Sequence, residues 1–299
     1  MKSENMILVG LGVAFIALAV VGVIKKPGSV YKYEPEQQNP FQNKRVKFVE
    51  NASEPENADG VRGHLEAIPT EVENSEYVHK RRVGIYEKYV KRILDIILSG
   101  VGLIFLSPVF AVVSIAVWLD DPGAVLFTQK RVGRDKRFFG LHKFRSMRMD
   151  TPHDVPTHQL SDPEQYITKV GRVLRRTSLD ELPQIWDIWL GNMSVIGPRP
   201  ALWNQDKLVA LRDGYSSSSG GEDAFKIDAN SVTPGLTGLA QIRGRDELSL
   251  EDKAAIDQEY CKKLSFGLDL RCFIGTVKSV LGAEGVVEGG TGSMEKSRN

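Results

Sequence analysis

The run ILDIILSGVGLIFLSPVFAVVSIAVW, Ile93–Trp118, decides how this chain is organised. It is long enough to cross a bilayer core of roughly 30 Å as a helix. Two features complicate that reading. Asp95 places a carboxylate near its start, which is costly in lipid without a partner; Lys91 and Arg92 are the nearest candidates in sequence. Ser107-Pro108 interrupts its middle. Proline removes a backbone donor and clashes with the preceding turn, so a kink is expected there. Lys80, Arg81, Arg82, Lys88, Lys91 and Arg92 precede the run; Lys130, Arg131, Arg134, Lys136, Arg137, Lys143, Arg145 and Arg148 follow it. A spanning helix would put one basic flank outside, against the positive-inside bias, whereas a segment that enters and leaves by one face keeps both inside. A Pro-kinked spanning helix is the rival.

Working outward, a second apolar run, Met6–Ile24, has no charge and is closed by Lys25, Lys26 and Pro27. Residues 1–27 read as an uncleaved transmembrane anchor with its C-terminal side in the cytoplasm, because the charge follows the helix and no small-residue cleavage site precedes it. Residues 28–84 are rich in Pro, Glu, Asn and Gln and read as a polar, disordered linker, with only a weak apolar patch at Val46–Val49. Residues 85–282 read as one domain carrying the membrane segment 91–118, and residues 283–299 as a flexible tail.

Composition excludes several classes. The 299 residues include two cysteines, too few for a disulfide framework or a Cys-rich zinc module. Mean hydropathy is −0.21, so this is not a polytopic transporter. The formal charge of +1, from 39 basic and 38 acidic residues, argues against phosphate handling only until it is divided. Residues 1–77 sum to −3, residues 283–299 to −1, and the segment between them to +5. A basic core beside an apolar run suits anionic headgroups or phosphorylated substrates, although a solvated face is the plainer account.

Beyond the membrane segment, Val125–Val132 and Arg137–Phe144 flank the polar Gly133–Lys136 and predict a short hairpin. Residues 151–165 read as a loop and Tyr215–Asp223 as a mobile one. Helices are predicted over Val170–Arg176, over Pro183–Leu190 ending at Gly191-Asn192, and over Leu250–Leu264 capped by Ser249. Phe266–Leu281 is apolar enough to lie on a membrane surface. The fold class is therefore α+β and mostly helical.

There is no G-x-x-x-x-G-K-[ST] phosphate loop, Gly10-Leu-Gly12 lies within the first apolar run, and the five histidines lack metal-ligand spacing. The informative stretch is LRRTSLDELPQ, Leu174–Gln184. Ser178 and Glu181 have capping-box spacing and Pro183 suits a first helical turn, so Asp180 and Glu181 fall at a helix N-terminus. Carboxylates there usually only cap. With Arg175 and Arg176 adjacent, an ionised aspartate also suits nucleophilic attack on phosphorus. In Gly197-Pro-Arg-Pro200, two prolines stiffen the backbone around Arg199, whose guanidinium suits bidentate phosphate binding.

The order of motifs resembles the bacterial sugar transferase family, monotopic phosphoglycosyl transferases that act on polyprenyl phosphate. The matching pieces are KRILDIILS (Lys91–Ser99), Ser107-Pro108, FTQKRVG (Phe127–Gly133), HKFRSM (His142–Met147), LRRTSLDELPQIWD (Leu174–Asp187), GNMSVIGPRP (Gly191–Pro200), TPGLTGLAQIRGR (Thr233–Arg245) and DQEY (Asp257–Tyr260). The turn Arg134-Asp135-Lys136 departs from the family's usual Gly-Lys. The resemblance implies a re-entrant helix broken at Ser107-Pro108, an interfacial amphipathic surface and a cytosolic active site at the bacterial cell membrane. It implies that Asp180 attacks the β-phosphate of a UDP-sugar, that UMP leaves, and that polyprenyl phosphate takes the phosphosugar from the aspartate. Glu181 would help deprotonate the acceptor or, with Asp180, hold Mg²⁺. Arg175, Arg199 and Asp257 are expected to bind substrate phosphates. The expected partners are the UDP-sugar, polyprenyl phosphate and membrane lipids, with no nucleic acid. A non-catalytic membrane adaptor and a nucleotide-diphosphate hydrolase using the same dyad are the alternatives.

Overall fold

The computed structural model of the chain describes residues 38–68, 83–151, 163–214, 227–244 and 248–281. The anchor expected over Met6–Ile24, the loop at Tyr215–Asp223 and the tail at 283–299 lie outside the described residues.

The apolar run forms two helices, α1 (Lys91–Phe105) and α2 (Ser107–Asp120), with one π-helical turn at Tyr86–Val90 leading into α1. The axis bends by 60° at Leu106. Pro108 occupies the first turn of α2, where its missing N–H costs nothing, and the Ser107 hydroxyl donates to the Ile104 carbonyl at 2.8 Å. The kink therefore falls where the sequence places it.

α1 is inside out. Lys91, Asp95 and Ser99 recur every fourth residue and are 3–5% exposed, whereas Ile93, Ile97, Leu98 and Phe105 are 51–77% exposed. In α2, Val113 and Val117 face the protein while Val112, Ile115, Trp118 and Leu119 face outward. So large an apolar surface is expensive in water and suited to hydrocarbon. Among the described residues no single helix is long and apolar enough to cross a membrane; only the bent pair reaches that length and hydropathy together.

Asp95 is not paired with Lys91 or Arg92 as expected. It accepts from the Ser194 hydroxyl at 3.0 Å and the Val195 N–H at 2.9 Å. Lys91 instead donates to Asp269 at 2.6 Å, and Arg92 donates to the Ile188 and Trp189 carbonyls at 2.7 and 2.8 Å. Sequence neighbours on a helix diverge around its axis, so partners come from the elements packed against each face. Asp269 also accepts from the Tyr86 and Tyr260 hydroxyls at 2.8 and 2.7 Å, tying the start of α1 to the C-terminal helices.

After α2 come β3 (Leu126–Val132) and β4 (Phe138–Phe144), an antiparallel hairpin in the register Leu126↔Phe144 to Val132↔Phe138. Phe139, Leu141 and Phe144 are buried along β4. Then follow α3 (Lys169–Thr177), α4 (Gln184–Leu190), β5 (Ser194–Ile196), α5 (Asp206–Arg212), β6 (Gly235–Thr237), α6 (Leu239–Arg243), α7 (Leu250–Lys263) and α8 (Phe266–Leu281). β5 and β6 pair in parallel. α7 is capped by Ser249, whose hydroxyl accepts from the Asp252 N–H at 3.0 Å. The predicted helices and hairpin are thus present with shifts of a residue or two at their ends.

The expected disordered linker is wrong where the structure describes it. β1 (Val46–Glu50) and β2 (Gly63–Ala67) form an antiparallel hairpin. Val46 is 0% exposed, and Phe41 and Leu65 pack with it against Val132, Leu208, Val209 and Ala254. The Val46 N–H donates to Asp213, whose other oxygen accepts from Lys136 at 2.9 Å. Asp59 accepts from the Lys207 and Leu208 N–H groups at 3.0 and 3.3 Å, capping α5. The polar composition misleads because its asparagines build turns: Asn39 accepts from the Phe41 N–H at 2.9 Å and Asn57 from the Asp59 N–H at 3.0 Å. A few large apolar residues then suffice, since the surface they cover belongs to another element.

Candidate active site

Asp180 and Glu181 lie on a 3-10 turn, Leu179–Glu181, between α3 and α4. The capping box read from Ser178 and Glu181 is not formed. Ser178 ends α3 in a left-handed conformation, φ 56°, and its side chain caps nothing, while Pro183 is the residue that precedes α4. The turn is held from behind. Leu179 and Leu182 pack with Val113, Val117, Phe144 and Leu174, so the dyad is anchored on α2 and the end of β4.

Four cations surround the two carboxylates. Glu181 Oε1 accepts from Arg199 Nη2 at 2.7 Å and from Lys143 Nζ at 3.0 Å. Burial opposes charge on Glu181, but Arg199 and Lys143 outweigh it and hold the carboxyl well below the ordinary range. Burial pushes Asp180 up; the Lys143 charge opposes this, Glu181 adds to it and Arg175 opposes it. Arg175 sits in the last turn of α3 and its Nε donates to the Ser146 hydroxyl at 2.9 Å. Gly171, one turn earlier, lies so close that a Cβ there would stand 2.0 Å from the Ser146 carbonyl oxygen. Arg131 is pushed down to about 9, by burial first and then by the Arg199 charge, with Glu181 opposing.

The Arg199 loop is fixed through its carbonyls. Arg212 Nη2 donates to the Arg199 oxygen at 3.0 Å, Arg131 Nη1 to the Pro200 oxygen at 2.9 Å, and the Val132 N–H to the Ala201 oxygen at 2.9 Å. Gly197 permits close approach of β6: its N–H donates to Thr237 at 2.8 Å, and a Cβ would stand 2.6 Å from the Thr233 oxygen.

The structure therefore gathers Asp180, Glu181, Arg175 and Arg199, with Ser107-Pro108 apart at the bend. It does not bring Asp257 to them. Asp257, 1% exposed on α7, accepts from Arg212 Nε and Nη2 at 2.9 and 2.6 Å, and reaches the site only through Arg212 and the Arg199 carbonyl. Lys143 and Arg131 were not singled out in the sequence. Lys143 stands inside HKFRSM, where it reads as one more cation of a basic run; its distinguishing feature is its position at the open end of β4, opposite Phe127. His142 is held beside it by the buried Asp187, which receives its backbone N–H at 2.9 Å and lies 2.8 Å from its Nδ1.

Among the described residues no group of three or more His, Cys, Asp or Glu side chains could hold a metal. Two adjacent carboxylates are a donor set that fits Mg²⁺, which takes one or two carboxylates and completes its shell with water and substrate phosphates.

An inside-out helix pair for lipid, joined to a carboxylate dyad set among fixed cations, defines a class suited to phosphate-bearing substrates at a membrane surface. Residues 86–283 match the bacterial sugar transferase family, and the chain belongs to it. It is 37% identical over 196 residues to UDP-glucose:undecaprenyl-phosphate glucose-1-phosphate transferase of Escherichia coli strain K12, covering 64% of this chain and 40% of that one. It is 36% identical over 197 residues to exopolysaccharide production protein PSS of Rhizobium leguminosarum bv. phaseoli, covering 64% and 95%. It is 32% identical over 216 residues to UDP-N-acetylgalactosamine-undecaprenyl-phosphate N-acetylgalactosaminephosphotransferase of Aeromonas hydrophila, covering 69% and 48%. The chain spans less than half the length of the first and third of these relatives.

Proposed function

We propose that this chain transfers a sugar 1-phosphate from a UDP-sugar to undecaprenyl phosphate, as an early step in making an exopolysaccharide or capsule. The observation that carries the reading is the Asp180–Glu181 dyad, set among Lys143, Arg199, Arg175 and Arg131 on a turn anchored to the bent helix pair. α1 and α2 enter and leave by the cytoplasmic face, with α8 lying on the surface. The 60° bend and the exposed Phe266, Leu270, Phe273, Ile274 and Val277 support this placement.

An Asp180 carboxylate oxygen attacks the β-phosphorus of the UDP-sugar. The bond from that phosphorus to the bridging oxygen breaks, UMP leaves with the electron pair, and the phosphosugar stays on Asp180. An oxygen of undecaprenyl phosphate then attacks the same phosphorus. The bond to Asp180 breaks, which frees the carboxylate and gives the diphosphate-linked sugar. Burial keeps Asp180 poorly solvated and nucleophilic, while Lys143 and Arg175 favour its charged form. Arg175 and Arg199 contact the donor phosphates. Glu181 is a weak base, because its two cations hold it ionised; it anchors Arg199 and Lys143 rather than accepting a proton. Asp180 and Glu181 are also the residues that would hold Mg²⁺, which offsets diphosphate charge when bound.

Purified protein in nanodiscs, given Mg²⁺, undecaprenyl phosphate and a panel of UDP-sugars, tests this. UMP should appear with at least one donor and depend on the acceptor, and Asp180→Asn should abolish it. Turnover retained in Asp180→Asn rejects the nucleophile. UMP formed at full rate without acceptor means hydrolysis instead.

A further inference from the structure

Away from the dyad, a cavity of about 330 Å³ opens between the π-helical turn at Tyr86–Val90 and the β3–β4 turn. We propose that it binds the phosphate headgroup of an anionic phospholipid. This rests on the reading of α1 and α2 as membrane-inserted.

The cavity's lining contains five basic side chains and three acidic ones. Its floor is internally satisfied: Lys91 is paired with Asp269, and Asp95 is bonded to Ser194. Its rim is not. Among the described residues, Lys88 and Arg137 take part in no ion pair, and Arg134 pairs only with its neighbour Asp135, at 3.5 Å with both side chains 46% exposed. Three rim cations thus line a polar hollow at the low end of ligand-pocket volumes, which start near roughly 300 Å³. That size takes a headgroup and leaves acyl chains outside.

Depth selects the lipid as the source of the phosphate. The cavity stands where the outward apolar face of α1 begins, beside Ile85, Tyr89 and Ile93, which are 54–78% exposed. A basic hollow at the point of entry lies level with headgroups. The π-helical turn has the same meaning, since such turns concentrate where function displaces a helix from its regular path. The cavity is distinct from the dyad. It opens at the turn end of the β3–β4 hairpin, and Lys143 lies six strand positions further on, roughly 20 Å away. Its lining also reaches beyond the family match. Gln42 and Asn43, from the segment preceding the family match, help line it, and the Asn43 N–H donates to the Asp135 carbonyl at 3.1 Å.

The test exchanges the full chain into nanodiscs of equal phosphatidylglycerol and phosphatidylethanolamine, and reads the lipids retained on release by native mass spectrometry. The wild-type protein should retain phosphatidylglycerol several-fold over phosphatidylethanolamine. The enrichment should collapse toward parity in the double variant Arg134→Gln/Arg137→Gln and weaken in Lys88→Gln. It should persist in Arg148→Gln, an exposed cation paired with Asp150 outside the cavity. All four substituted residues are exposed, and unchanged thermal unfolding verifies folding. Enrichment retained by the double variant overturns the proposal. So does its loss from the wild-type protein in excess inorganic phosphate, which would make the cavity a site for free anions. Lipid retained without headgroup preference overturns this proposal alone; no lipid retained by any form overturns the membrane reading with it.

Discussion

Replacing Asp257 by Asn separates a phosphate-contacting role from a positioning one. The substitution preserves shape and removes charge. Arg212, whose side chain is 7% exposed, loses the carboxylate that receives its Nε and Nη2 at 2.9 and 2.6 Å, and keeps only the Arg199 carbonyl and a neutral amide oxygen. Stranding one partner of a buried pair costs about 3–5 kcal/mol, and the residual amide acceptor places this case near 3 kcal/mol. For a domain of this size, that lowers the melting temperature by roughly 6–12 °C. Turnover should fall as well, because Arg212 fixes the backbone that presents Arg199. The assays are thermal unfolding in detergent and initial rates of UMP release. A second variant, Arg212→Met/Asp257→Leu, replaces the pair with apolar volume. It should recover most of the stability and leave turnover low, since the Arg199 carbonyl then loses the Arg212 donor altogether. A single variant that melts within about 2 °C of wild type but shows a raised donor KM refutes this reasoning; Asp257 would then touch substrate itself.

Lys143→Met removes the cation that most favours the charged form of Asp180. With burial unopposed there, the Asp180 pKa rises, so the acid limb of the kcat/KM profile should move to higher pH, alongside a roughly 10²-fold loss at neutral pH; an unmoved limb contradicts the assignment. Val46→Ala, outside the family match but 0% exposed, should cost about 2 kcal/mol in denaturant unfolding; an effect indistinguishable from zero would mean that β1 is not part of the core. Asp206 is pushed up to about 6, by burial first and then by the Asp59 carboxylate, with His64 opposing. A raised carboxyl pKa favours the folded state in acid and loses that advantage as pH climbs through the unfolded and then the folded value. Asp206→Asn should therefore gain stability over wild type between pH 4 and 7 and level off above, by at most about 3 kcal/mol. A gain that grows toward acid contradicts the sign.

Legibility in the sequence followed the range of the interaction. The bend at Ser107-Pro108, the β3–β4 hairpin and the Ser249 cap depend on backbone chemistry within a few residues, and all three stand where the sequence places them. The dyad and its arginines were legible as motifs. Apart from the capping box at Ser178 and Glu181, which does not form, the failures were long-range. Asp257 stands in its motif, yet its partner is Arg212, 45 residues earlier in the chain. Lys136 reads as a solvated turn cation, and becomes a buried partner of Asp213 because β1 seals that corner. The β1–β2 segment has no apolar period of its own, since the complementary half of its core is Leu208, Val209 and Ala254.

The inside-out helix shows how such long-range information is nonetheless written locally. In a water-soluble helix the apolar stripe faces the protein, and polar residues need no explanation. In Ile93–Trp118 nearly everything is apolar, so the stripe carries no direction; direction resides in the exceptions. Lys91, Asp95 and Ser99 repeat at four-residue spacing and are the residues that α1 buries. Read singly, Asp95 is an anomaly in lipid that needs a counter-ion. Read as one member of a period-four polar stripe, it marks the face turned toward β5, where a hydroxyl and a backbone N–H satisfy it without a charge. The same logic places the dyad. Leu179 and Leu182 must reach the other helix of the pair, α2, to be covered, and once they do, Asp180 and Glu181 are left facing Lys143 and Arg199. The bent helix pair thus has a second role: the protein-facing side of α2 is the template against which the turn carrying Asp180 and Glu181 is set.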